Sequence, residues 1–165
     1  MSAEQRRSSR AMRRAVRLAR RLMPLDGNLD DFIASIARHR RRPITLVQLD
    51  RRPSDDLSGL WLATESADYI IVDPTATPSR RALIVCHEIA HMLLGHRGDL
   101  TTSQLLATTA PDLNRALVAR VLGRHAYGSA DEQAAEEMAT VVAAERSQRE
   151  DTARLHLHTN SARLR

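Results

Sequence analysis

Residues 82–96 read ALIVCHEIAHMLLGH. Apolar residues surround three ionisable ones on nearly every side, so a helix here is buried. Buried ionisable groups are costly unless paired or metal-bound. His87 and His91 are four residues apart, about 40° from eclipsing on an α-helix. Both imidazoles can therefore converge on one tetrahedral cation, for which zinc is the expected choice. Zinc lowers the pKa of a bound water to about 7. Glu88, rotated by about 100° from His87, is positioned to activate that zinc-bound water and then protonate the leaving amine of a peptide. His-Glu-x-x-His is the spacing this hydrolysis uses. The competing reading is a core histidine pair hydrogen-bonded to nearby carboxylates.

A catalytic zinc site needs a third protein ligand. His96 is close in sequence, but continued helix would turn it about 180° away from His87. It reads as a helix-end residue near the negative end of the dipole. The longer metzincin pattern fails, because Leu94 and Arg97 stand where it requires Gly and His. The better source is DEQAAEEMATVVAA, residues 131–144. Glu132 and Glu136 share one face of that helix. Ala135, Ala139 and Ala143 lie along the same side and allow close approach to the histidine helix. Both glutamates are candidates, whereas Glu137 points elsewhere. The alternative is an ordinary helix with an acidic first turn.

Outward from these two segments the chain predicts an α+β fold. A small, mainly antiparallel sheet packs with a helical bundle that carries the His-Glu-x-x-His helix. Residues 1–10 are expected to lack structure. Met12, Val16, Ala19 and Leu22 predict a helix over 11–22, broken by Pro24 and Gly27. Asn28 caps a second helix, whose buried stripe is Leu29, Phe32, Ile33 and Ile36. Pro43 ends it. Strands follow at 43–50, 58–66 and 67–73, the last two forming a hairpin around Ser66 and Ala67. Thr77-Pro78 opens the histidine helix, and Gly95 or Gly98 closes it. Further helices are expected at 111–124 and 131–148. The domain reading is a basic arm at 1–25, a metallopeptidase-like domain at 26–148 and a polar, frayed tail at 149–165.

Composition narrows the class. Aromatics are limited to Phe32, Trp61, Tyr69 and Tyr127, and every basic residue is Arg, with no Lys. The net charge is +5, but residues 1–60 hold 14 Arg against 7 acids. An Arg-rich N-terminus can make weak contact with nucleic acid or anionic lipid, or can be a solvated helix face. The few aromatics and the lack of a DNA-binding motif argue against a dedicated nucleic-acid-binding protein. Cys86 is the only cysteine. It excludes an internal disulfide framework, reads as a small buried hydrophobe and fits a reducing cytoplasm. No apolar window is long enough for membrane insertion. The acid-poor start also resembles an organellar transit peptide, but a bacterial cytoplasm fits the Arg bias better.

Together these segments resemble the ImmA/IrrE family of metallopeptidases over about residues 28–146. The strand end Ile70 to Asp73, the His87–His91 segment and Glu132-Gln133-Ala134-Ala135 continuing to Met138-Ala139 carry the resemblance. Met138 stands where the family usually has Phe, its frequent Leu-Met-Pro ending is absent, and 40 residues separate His91 from Glu132. The resemblance implies gluzincin-like geometry with Glu132 as third ligand. It also implies cleavage of a regulatory protein, typically a helix-turn-helix transcriptional regulator. His125 and Tyr127 are candidate oxyanion donors, and Arg124 could hold a peptide carboxylate. Trp61 and Tyr69 could line a substrate-pairing edge strand or simply pack. His156 and His158 fall in the polar tail. The alternative to the enzyme is a non-catalytic metal-containing module that controls a transcriptional regulator or nucleic acid by contact.

Overall fold

The computed structural model describes residues 3–48, 59–63, 66–96 and 128–162. The expected helix at 111–124 lies outside them, as do Gly98, Arg124, His125 and Tyr127. The described chain is α+β, in the order α1 (Ala3–Leu22), α2 (Leu29–Arg40), β1 (Ile44–Gln48), β2 (Gly59–Ala63), β3 (Asp68–Val72), α3 (Pro78–Leu94) and α4 (Ser129–Ala162). Among the described residues, no helix is long and apolar enough to cross a membrane.

Two expectations about chain ends are corrected. Helix α1 begins at Ala3 rather than near residue 11. Glu4, Gln5, Arg6 and Arg7 are good helix formers, so the helix extends upstream of its apolar stripe. Helix α4 runs on to Ala162, well past the expected end near residue 148. Its second half is polar but tethered. Arg149 donates from Nη1 to the carbonyl of Met23 (2.7 Å) and from Nη2 to that of Arg20 (3.1 Å). One guanidinium thus satisfies carbonyls left unpaired where α1 ends. Arg146 reaches the carbonyl of Gly27 at 3.0 Å. Pairs spaced four apart, Arg149–Glu145 and Arg146–Glu150, reinforce the segment.

The sheet has strand order β1-β3-β2. Strands β2 and β3 pair antiparallel, with Trp61 opposite Ile70, as the predicted hairpin requires. Strand β1 pairs parallel with β3, so the sheet is mixed. Tyr69 therefore sits on the central strand, while Trp61 is on the outer strand β2. One face of the sheet contributes Ile70 and Val72 to the core. They pack with Phe32 and Ile36 of α2, Val85 and Ile89 of α3, and Ala135, Met138, Ala139 and Val142 of α4. Ala15, Ala19 and Met23 join the same core, so the basic N-terminal helix has a buried face. The small side chains of Ala90, Ala135 and Ala139, all fully buried, let α3 and α4 approach closely.

One buried ion pair ties the layers together. Asp68 on β3 is fully buried. It accepts from Arg40 Nε at 2.9 Å and from the Trp61 indole at 3.1 Å. The Arg40 guanidinium lies 5.3 Å over the Trp61 ring and also reaches the Met92 carbonyl at 3.4 Å. This arginine therefore joins α2 to both outer and central strands and to α3. Trp61 is held by these contacts, which favours packing over a substrate contact by its ring.

Removing one partner would leave the other charge buried and uncompensated. Asp68→Ala should therefore lower folding stability by about 3–5 kcal/mol. Urea unfolding of wild type and variant, followed by far-UV circular dichroism, measures it.

Candidate metal centre

The site begins with a well-capped helix. Thr77 accepts the Arg80 backbone N–H at 3.3 Å, and Pro78 occupies the first turn of α3. Gly95 ends the helix in a left-handed conformation, with φ of 74°. Between these caps, His87, Glu88 and His91 keep regular helical spacing. His91 and Glu88 are buried, and His87 is half-buried.

The two imidazoles face each other, His91 Nε2 to His87 Nε2 at 3.0 Å. Glu132, in the first turn of α4, brings Oε2 to 3.3 Å from His87 Nε2 and Oε1 to 3.6 Å from His91 Nε2. A tetrahedral ion with bonds of about 2.0–2.1 Å needs donor atoms roughly 3.3–3.4 Å apart. The three separations bracket that value. His87, His91 and Glu132 thus form a group that could hold a metal ion. Burial drives the His91 imidazole down to a pKa of about 3, with His87 and His96 adding repulsion. It is neutral at physiological pH, leaving Nε2 able to present a lone pair.

The structure separates the two glutamates. Glu136 does not meet the converging nitrogens but approaches the other side of His87, 3.4 Å from Nδ1. It can accept the Nδ1 proton and hold the tautomer whose Nε2 faces the centre.

His96 is the main correction. It does not point away. Once Gly95 leaves the helical path, the chain turns back, and His96 Nδ1 lies 2.9 Å from His91 Nδ1. The far nitrogen of His96 is 3.5 Å from Asp131. If His91 presents Nε2 to a cation, its Nδ1–H donates to His96 and the His96 Nε2–H donates to Asp131. Burial lowers the His96 pKa, opposed by Asp131 and Glu132. Extrapolating the helix past a glycine hid this contact. The legible signal was Gly95 itself, together with Asp131 next to Glu132.

Glu88 projects to the sheet side. Its carboxylate is hydrogen-bonded by the Trp61 backbone on β2, and burial pushes its pKa up to about 8 despite that bond, with Glu132 adding repulsion. Gly59 makes room for it. A Cβ there would lie 2.3 Å from Ile84 Cγ2 and 3.1 Å from Glu88 Oε1. Sequence reading did not single out Gly59, because the neighbour that requires it comes from α3. Cys86 is buried, with its thiol pushed up to about 12 mainly by desolvation, as fits a small hydrophobe. His156 and His158 are exposed on the last turns of α4.

Three outcomes follow. Glu136→Ala and His96→Ala should each weaken metal affinity by about 10–100-fold, while Glu132→Ala should weaken it more; competition with a chromogenic chelator measures this. Gly59→Val should lower the thermal midpoint and impair whatever Glu88 does, because Ile84 on one side and the Ile71 carbonyl on the other leave the new side chain no room without repacking. The third concerns metal-free protein. Glu88 has its folded pKa raised from 4.5 to about 8, so folding favours its protonated form. Its stabilising contribution is complete below pH 4.5 and fades as pH rises towards 8. Glu88→Gln should accordingly gain stability over wild type across that interval, read from denaturant midpoints at successive pH values. No model of a known protein family and no curated protein sequence matches the chain.

Proposed function

We propose that this chain is a zinc-dependent metalloendopeptidase acting on a regulatory protein, with His87, His91 and Glu132 as metal ligands and Glu88 as general base. The observation that carries the reading is the convergence of His87 Nε2, His91 Nε2 and a Glu132 oxygen at near-tetrahedral spacing. It is joined by a buried carboxylate one residue from the first ligand. His87, His91 and Glu132 would hold the zinc, which would supply Lewis acidity to the scissile carbonyl and to a water.

The protein's own residues do the rest. Glu88 takes a proton from the attacking water on its carboxylate as the new C–O bond forms. It returns that proton to the amine nitrogen as the C–N bond breaks, so the carboxylate is regenerated and the enzyme recovers its starting charge. The Trp61 backbone hydrogen bond orients Glu88 and opposes the burial that would otherwise keep it protonated. Beside a bound cation, Glu88 would be drawn further towards its ionised form. Strand β2 pairs only with β3 among the described residues, so its other edge is suited to an extended peptide laid beside the site. The choice of a helix-turn-helix regulator as substrate rests on the family resemblance of the sequence segments.

Glu88→Gln separates catalysis from metal-supported contact. The variant should bind zinc stoichiometrically, yet lose about 10²–10⁴-fold or more in peptide hydrolysis. Zinc content by elemental analysis and cleavage of a helix-turn-helix regulator are the measurements. Undiminished biological activity in the variant would instead support a non-catalytic module that acts on its regulator by binding.

A further inference from the structure

We propose that the arginine face of α1 is a docking surface for the phosphate backbone of duplex nucleic acid, separate from the metal centre. Eight arginines lie in this helix against a single acid, Glu4. At about 100° per residue, the arginines from Arg6 to Arg21 fall within an arc of roughly 140° and span about 22 Å. All eight are exposed. Arg20 pairs with Glu145 at 2.7 Å. Arg10, Arg13, Arg14, Arg17 and Arg21 have no acidic partner among the described residues. Arg14, Arg17 and Arg21 also line an open groove with Leu18.

The opposite face explains why the partner is a polyanion and not a bilayer. A helix lying in a membrane interface must bury its apolar side in lipid. Here that side is taken: Ala15 and Ala19 are in the core, and Met12, Val16 and Leu22 pack against it. Only the charged side remains on offer. Setting aside Arg20, which Glu145 pairs, seven guanidiniums over about 22 Å still give close to one charge per 3 Å, comparable to the 3.4 Å axial spacing of phosphates along one strand of a duplex. Guanidinium binds phosphate oxygens in a planar fork. Single strands call for aromatic stacking platforms, and α1 has no aromatic residue. The surface is also preorganised, because Arg149 holds the carbonyls where α1 ends.

The test uses the full-length, metal-loaded chain and a fluorescent 24-base-pair DNA duplex in an anisotropy titration across a salt series. Neutralising about four or more phosphates should give a log–log salt slope of about −4 or steeper. Combining Arg10→Gln, Arg13→Gln, Arg14→Gln and Arg17→Gln, which keeps helix propensity, should weaken binding at least about 30-fold and flatten the slope towards zero. Circular dichroism and zinc content should be unchanged. Arg80→Gln with Arg81→Gln, on α3, should leave binding within about twofold. The proposal is overturned by no duplex binding at 50 mM salt, by a salt-independent affinity, or by equal losses in the two variants. Preference for phosphatidylserine vesicles or for an acidic polypeptide over the duplex would overturn it in favour of those partners.

Discussion

The close approach of α3 and α4 is the constraint on which the site depends. Fully buried alanines, Ala90 on one helix and Ala135 and Ala139 on the other, set that distance. Larger side chains there would hold the helices apart. Glu132 would then lose its reach to two nitrogens on the facing helix. The same packing brings Asp131 to His96 and Glu136 to the outer edge of His87. Three acidic residues from one helix segment thereby take three positions around the histidines: converging on the centre, behind the first ring, and behind the relay from the second.

The other side of α3 is governed by a second close approach, at Gly59. The sheet comes near enough for a backbone group of β2 to hold Glu88. The buried Arg40–Asp68 pair, with the Trp61 indole, sets how β2 and β3 sit against α2 and α3. Folding therefore works against an ionised Glu88, and a buried carboxyl perturbed in this way marks a candidate functional group. The stability lost there is offset by the apolar core on which α3 rests.

Helix α1 combines two surfaces with different physical roles. Its alanine and methionine face joins the core, and Arg149 and Arg146 of α4 tie the end of α1 and the loop after it in place. A charge run read as a basic arm is thus, on its inner side, structural. Its outer side keeps a dense cationic stripe that the core does not use.

Local periodicity by itself determined the helices around Phe32 and His87, the β2–β3 hairpin, the α+β class and the pairing of His87 with His91, because these depend on residues a few positions apart. It also narrowed the candidate third ligand to Glu132 or Glu136, which share a helix face. Tertiary structure decided what lies between distant segments. It selected Glu132 over Glu136 at the converging nitrogens, turned His96 back onto His91 and made β1 parallel to β3. It also extended α4 through tethers to α1 that no local pattern encodes. The physical reason is reach. A side chain's angle about its own helix is set by neighbours in sequence, whereas its partner is set by how closely two elements pack, and that is determined by small buried residues far apart in the chain.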